Sequence, residues 1–285
     1  MFAVTIVILS LCSAVLSDKC DNTKCPVVPK HYEELGCKPI YQQGYCCPLS
    51  FDCSSFTGRD ISKCYHKGRA YEPMEKVEDS ELESSCTVAC RCTRYYPDEP
   101  AKITCAHIDC PEFFGSYEPR GRNCISQYEQ DKCCKSRDVC DDDLKNLTTC
   151  NFHGKQYYEG EQMEPEQACY SCWCGRDFED KPAHQNRYCK RINCNIDLHY
   201  SDRLHDGCVP IYYKTEDCCP IGTRCPDDDT TVIKTKNSKT APDLPQCVFG
   251  DLKLSIGDNL SPEHGDQCKV CTCKTPPFVT CVQTC

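Results

Sequence analysis

Long apolar runs are nearly absent from this chain. After Leu16 no stretch of the sequence is long and apolar enough to cross a bilayer, a task that takes about 20 consecutive apolar residues. Valine, isoleucine and leucine are thin between the cysteines, tryptophan occurs once and methionine three times. No window keeps a 3.6-residue apolar period, which argues against a helical fold. A basic excess is missing as well: the net charge is −10 and the pI is near 5.3. Phosphate backbones demand a cationic face, so nucleic acid is excluded as a partner. Catalytic patterns are also lacking. The 8 histidines are scattered, and none sits in an H-E-x-x-H or G-x-S-x-G context. His184, His199 and His205 fall in one loop-like stretch and read as surface residues. We therefore expect a protein that is not an enzyme and carries no cofactor.

What the chain does have is cysteine, 33 in 285 residues. That density signals a disulfide scaffold in an oxidising compartment. Phe2 to Leu16 is an apolar run too short for a span and is followed by Ser17, so residues 1–17 read as a signal peptide. Removing it takes away Cys12 and leaves 32 cysteines, an even number.

The cysteines repeat. One copy has Cys64, Cys86, Cys90, Cys92, Cys105, Cys110, Cys124, Cys133, Cys134 and Cys140. The other has Cys150, Cys169, Cys172, Cys174, Cys189, Cys194, Cys208, Cys218, Cys219 and Cys225. Both carry C-x-C before the middle and C-C-x5-C at the end, at a period of roughly 85 residues. Residues 18–53 repeat only the back half of this pattern, from Cys20 to Cys53. Residues 247–285 repeat only the front half, from Cys247 to Cys285. The expected order is thus signal peptide, half repeat (18–53), two full repeats (64–140 and 150–225), linker (226–246) and half repeat (247–285). The linker is polar, with Lys234, Lys236 and Lys239 among threonines and prolines, and reads as flexible and open to proteolysis.

Each full repeat holds about 76 residues, and a core that small supplies only about 3–5 kcal/mol. Several disulfides, each worth about 2–4 kcal/mol, must hold it. Gly68 with Tyr71, and Gly154 with Tyr157, suit a turn entering a strand. Ile103 to Ile108 and Arg187 to Ile192 alternate like half-buried strands. Each front half is expected to be a small antiparallel sheet and each back half a set of cysteine-tied loops. Asn146 and Asn259 stand in glycosylation sequons, the latter weakened by Pro262. Asp141 to Asp143 and Asp227 to Asp229 lack the ligand spacing of a calcium loop and read as solvated. Cys169, Cys172 and Cys174 have zinc-like spacing, but the compartment favours disulfides, so no metal is expected.

This cysteine order, with glycine and tyrosine after the first cysteine, resembles the von Willebrand factor type C module of chordin-like and crossveinless-like extracellular proteins. The resemblance implies a small, disulfide-rich, mainly β fold of tandem modules in an elongated row. It also implies a connectivity. In the first repeat Cys64 joins Cys92, Cys86 joins Cys133, Cys90 joins Cys105, Cys110 joins Cys134 and Cys124 joins Cys140. In the second, Cys150 joins Cys174, Cys169 joins Cys218, Cys172 joins Cys189, Cys194 joins Cys219 and Cys208 joins Cys225. By the same pairing the N-terminal half closes Cys25 with Cys47 and Cys37 with Cys53. The C-terminal half closes Cys247 with Cys273 and Cys271 with Cys281. Cys20, Cys46, Cys268 and Cys285 remain. Six cysteines per half favour local closure, Cys20 with Cys46 and Cys268 with Cys285, and hence a monomer. The alternative is a Cys46–Cys268 link between chains.

The expected function, by resemblance, is extracellular binding of a growth factor of the BMP/TGF-β class. A structural matrix role and a secreted defence role are the alternatives. Trp173 is the candidate anchor, because Arg91 and Thr272 fill its slot in the other copies and the scaffold does not need a tryptophan there. Tyr170, Tyr157 and Tyr158 are candidates to complete a patch with it. A second reading, that Trp173 covers a thin core, stays open.

Overall fold

The computed structural model describes residues 25–82, 84–114, 123–165, 169–214, 216–239, 241, 243–263 and 267–285. The signal-peptide segment and Cys20 lie outside them. The fold is small, disulfide-rich and mainly strand. Its α-helices, His31–Glu34, Ser54–Thr57, Ile196–His199 and Ser201–His205, are each a single short turn. Among the described residues there are 15 disulfides, each joining two cysteines paired in the preceding subsection. Cys46 is also disulfide-bonded, but the expected Cys20–Cys46 pair lies outside the described residues.

The front halves begin with a tight hairpin. Cys64–His66 pairs with Arg69–Tyr71, and Thr149–Phe152 pairs with Lys155–Tyr158. Both turns need positive φ at two successive residues. Lys67 (48°) with Gly68 (79°) and His153 (48°) with Gly154 (77°) supply it, and this geometry matches the twist of the flanking strands. Behind the hairpin of the first repeat, Thr87–Thr93 pairs with Lys102–His107. In the second, Gln162–Met163, Tyr170–Trp173 and Cys189–Arg191 form a three-stranded sheet. Cys172 lies directly opposite Cys189 there, so their disulfide staples the ladder.

The back halves are more regular than loops. Lys38–Tyr41 pairs with Pro48–Asp52, Cys124–Gln127 with Arg137–Cys140, and Val209–Tyr212 with Gly222–Arg224. The first two ladders bury little. A cross-strand disulfide, Cys37–Cys53 or Cys124–Cys140, closes each one, so no apolar alternation is required of the sequence.

The flexible linker at 226–246 is corrected. Val232–Ile233 pairs with Asn259–Leu260 as the edge of an eight-stranded sheet. The Lys239 N–H donates to Ile256 O at 2.8 Å, and the Thr235 hydroxyl donates to Gly257 O at 2.8 Å. Arg224 is fully buried, and its Nη2 donates to Ser261 O at 2.8 Å and to the Thr230 hydroxyl at 3.2 Å. Polar composition looked solvated, but Val232–Ile233, Lys239 and the Thr235 hydroxyl are bonded to the sheet, and a stretch tied at these points is not a free linker.

The elongated row is corrected too, because the two ends of the described chain meet. Val209–Tyr212 of the second repeat runs parallel to Phe278–Gln283. Tyr32, fully buried, donates its hydroxyl to Thr275 O at 2.5 Å and accepts from the Phe278 N–H at 3.1 Å. The Phe51 N–H donates to Pro276 O at 2.8 Å. Around these bonds Tyr32, Leu35 and Phe56 pack with Ile196, Leu204 and Phe278. The first repeat joins through Leu198, which packs with Tyr71, Val77 and Ile103. A buried ion pair, Arg59 Nη1 to Asp197 Oδ1 at 2.5 Å, bridges the same contact. Burial pushes the Asp197 carboxyl up, and Arg59 opposes that shift.

Candidate binding surface

The strand Tyr170–Trp173 alternates. Cys172 is fully buried opposite Met163 and Cys189, and Tyr170 packs on the same cluster. Successive strand side chains point to opposite faces, so Ser171 and Trp173 share the other face. Gln162 stands opposite Trp173 and Lys190 opposite Ser171. Trp173 is half-buried and lies on the face away from the core. Trp173 is not among the residues of the core cluster beneath this sheet.

The structure does not assemble the four aromatic candidates into one patch. Tyr157 and Tyr170 pack against the core cluster of Phe152, Met163 and Ala183. Tyr158 lines a separate depression with Asn123 and Lys145. Trp173 is joined by residues that the sequence did not single out. A groove of about 520 Å³ runs between its sheet and the first repeat, and Phe113 and Tyr128 line the far wall. The Cys86–Cys133 disulfide sits in the same wall. Phe113 is 76% exposed. No signal in the sequence distinguished it, because its groove forms between two repeats.

The zinc-like cysteines are all in disulfides: Cys169 with Cys218, Cys172 with Cys189, and Cys174 with Cys150. Cys110, Cys133 and Cys134 crowd within 4.8 Å, as do Cys194, Cys218 and Cys219. Their sulfurs are also bonded in pairs, and a disulfide sulfur is not the thiolate that a metal takes. The three histidines have different neighbours: His184 bonds Gln185, His199 stacks on His107, and His205 stacks on Phe56. Asn146 is exposed on the 3₁₀ turn Asp141–Asn146. Asn259 is half-buried in its strand, and its Oδ1 accepts from the Thr272 hydroxyl at 2.7 Å.

No family model, curated protein or solved structure matches this chain.

A second feature escaped the sequence. His31 is fully buried where the chain ends meet. Its Nδ1 is 2.8 Å from the Tyr212 hydroxyl, and its Nε2 has no hydrogen-bond partner among the described residues. Burial without a countercharge holds its pKa down to about 3. The Tyr32 and Tyr212 phenols beside it are pushed up by the same burial.

Proposed function

We propose that this protein is an extracellular, non-catalytic binding protein built of type C-like modules, and that it modulates a growth factor of the BMP/TGF-β class. Its disulfide content suits an oxidising, extracellular setting. No helix among the described residues is long and apolar enough to cross a membrane. The observation that carries the reading is Trp173, a large aromatic residue turned away from the core on a disulfide-stapled sheet. An aromatic side chain held rigidly at the surface buries much area for little entropy on binding. The partner class follows from the family resemblance of the cysteine order.

The test is a pull-down with purified secreted protein against a panel of such growth factors. The wild type captures at least one of them. Trp173→Ala is secreted with the same disulfide content and loses about 1–2 kcal/mol of affinity, as expected for an interface anchor. Capture of nothing by folded protein rules out the partner class. Failure of the variant to be secreted shows instead that Trp173 supports the fold.

A further inference from the structure

The groove beside Trp173 has a composition at odds with the chain around it. The protein carries a net charge of −10, yet among the described residues lining the groove the charged side chains are Lys132, Lys190 and Arg191, with no carboxylate. All three cations have interactions within the protein, and two of the pairs lie at the rim. Lys132 meets Glu129 at 2.8 Å and Arg191 meets Glu33 at 2.7 Å, and all four side chains are more than half exposed. Exposed pairs of this kind hold little energy and re-pair readily.

The apolar walls are equally unusual. Phe113 lies between the sixth and seventh cysteines of its repeat. The corresponding segment of the N-terminal region buries Tyr32 and Leu35, and that of the second repeat buries Ile196, Leu198 and Leu204. These two segments pack on one another. In the first repeat Phe113 and Phe114 stay 76% and 57% exposed, and Phe113 lines the groove together with Trp173.

From this we propose that the groove binds an extended protein segment that places an apolar side chain between Phe113 and Trp173 and carboxylates against Lys132, Lys190 and Arg191. This assignment deepens the binding reading above and rests on it, adding the face used and the chemistry of the segment. Aromatic walls favour a peptide over a sulfated glycan, which would use the cations alone.

Trp173 is the single tryptophan of the chain and lines this groove as well as a neighbouring depression, so intrinsic emission reports on its surroundings and the Phe113→Ser variant assigns the change to the groove. The probe is a blocked hexapeptide with a central Leu-Phe pair and two acidic residues on each side. Its control carries lysines in place of the acids. Titrating the intact protein with the acidic peptide gives a saturable change in tryptophan emission, and the lysine peptide binds at least tenfold more weakly. Phe113→Ser, at an exposed position that the fold tolerates, weakens the acidic peptide at least fivefold. Lys132→Glu with Lys190→Glu reverses the preference between the peptides. Equal binding of both peptides, or binding of neither, overturns the proposal. So does a heparin-derived hexasaccharide that binds more tightly than the peptide and ignores Phe113→Ser. The growth-factor pull-down fails independently: capture without peptide binding removes the groove and keeps the partner class, and peptide binding without capture does the reverse.

Discussion

Two of the three back halves in this molecule bury their inter-cysteine segments, and the described start of the third, 111–114, is presented. All three share the C-C-x5-C frame and a short antiparallel ladder. In the N-terminal region the segment after Cys25 buries His31, Tyr32 and Leu35. In the second repeat the segment after Cys194 buries Ile196, Leu198 and Leu204. In the first repeat the segment after Cys110 leaves Phe113 and Phe114 in solvent. Disulfides fix the frame in each case. Without an extended core to recruit every apolar side chain, the residues between the cysteines are left to be either cement or contact surface.

The sharpest contrast is between Tyr32 and Phe113. Tyr32→Ala removes a fully buried ring and three hydrogen bonds from the meeting point of the chain ends. We expect a loss of about 3–5 kcal/mol in denaturant unfolding with the disulfides intact. Phe113→Ala should stay within about 0.5 kcal/mol of wild type. Comparable losses for the two would erase the distinction.

Acid should act on the buried pair of segments and spare the presented one. His31 is neutral in the fold, with its pKa held down to about 3 against an ordinary 6.5. The unfolded chain therefore binds this proton first. The stability that His31 supports is complete above pH 6.5 and falls as pH drops toward 3. Between pH 7 and pH 5 the loss is about 2 kcal/mol. Burial lowers His199 and His205 in the same sense, and burial raises Glu34 and Asp197 in the opposite one. The measurement is therefore the difference between wild type and His31→Gln in urea midpoint at the two pH values. A variant with the same acid sensitivity as wild type would take His31 out of the account.

The smallest effect concerns glycans. Asn146 is exposed, and the amide of Asn259 is held by Thr272 within a sheet. Intact mass before and after glycosidase should show a glycan lost on Asn146→Gln and little or no change on Asn259→Gln. Stability should move by less than about 0.5 kcal/mol in either variant. A glycan carried chiefly by Asn259 would mean that its strand is open when the chain is modified.

Much of the frame was legible in the cysteines. Their order, the glycine turns at Gly68 and Gly154, and the strand near Ile103 all have local causes: a positive φ, a two-residue alternation, a sulfur within reach. The correction at 226–246 arose because Thr235, Ser238 and Lys239 carry no sign of the partners that bond them, which lie near Ile256 to Asp258. The meeting of the ends was hidden for a related reason. Tyr32, Leu35 and Phe56 are too few to mark an interface until Ile196 and Phe278 stand beside them. At the candidate site, Trp173 was conspicuous as the single tryptophan. Its direction depends on the register with Gln162 and Met163, which composition does not contain. That register also separates it from Tyr170 and Tyr157, and it brings in Phe113 and Tyr128 across a boundary between repeats.

Hydrogen–deuterium exchange read by mass spectrometry, with the disulfides reduced only after quenching, tests the contrast between the back halves most directly. The account predicts slow exchange across 31–37 and 196–204, whose amides are bonded within buried segments, and fast exchange across 111–114, whose short turn is exposed. Similar rates in all three segments would contradict it, since a shared disulfide frame would then govern them alike and the burial of Tyr32 and Ile196 would carry no weight.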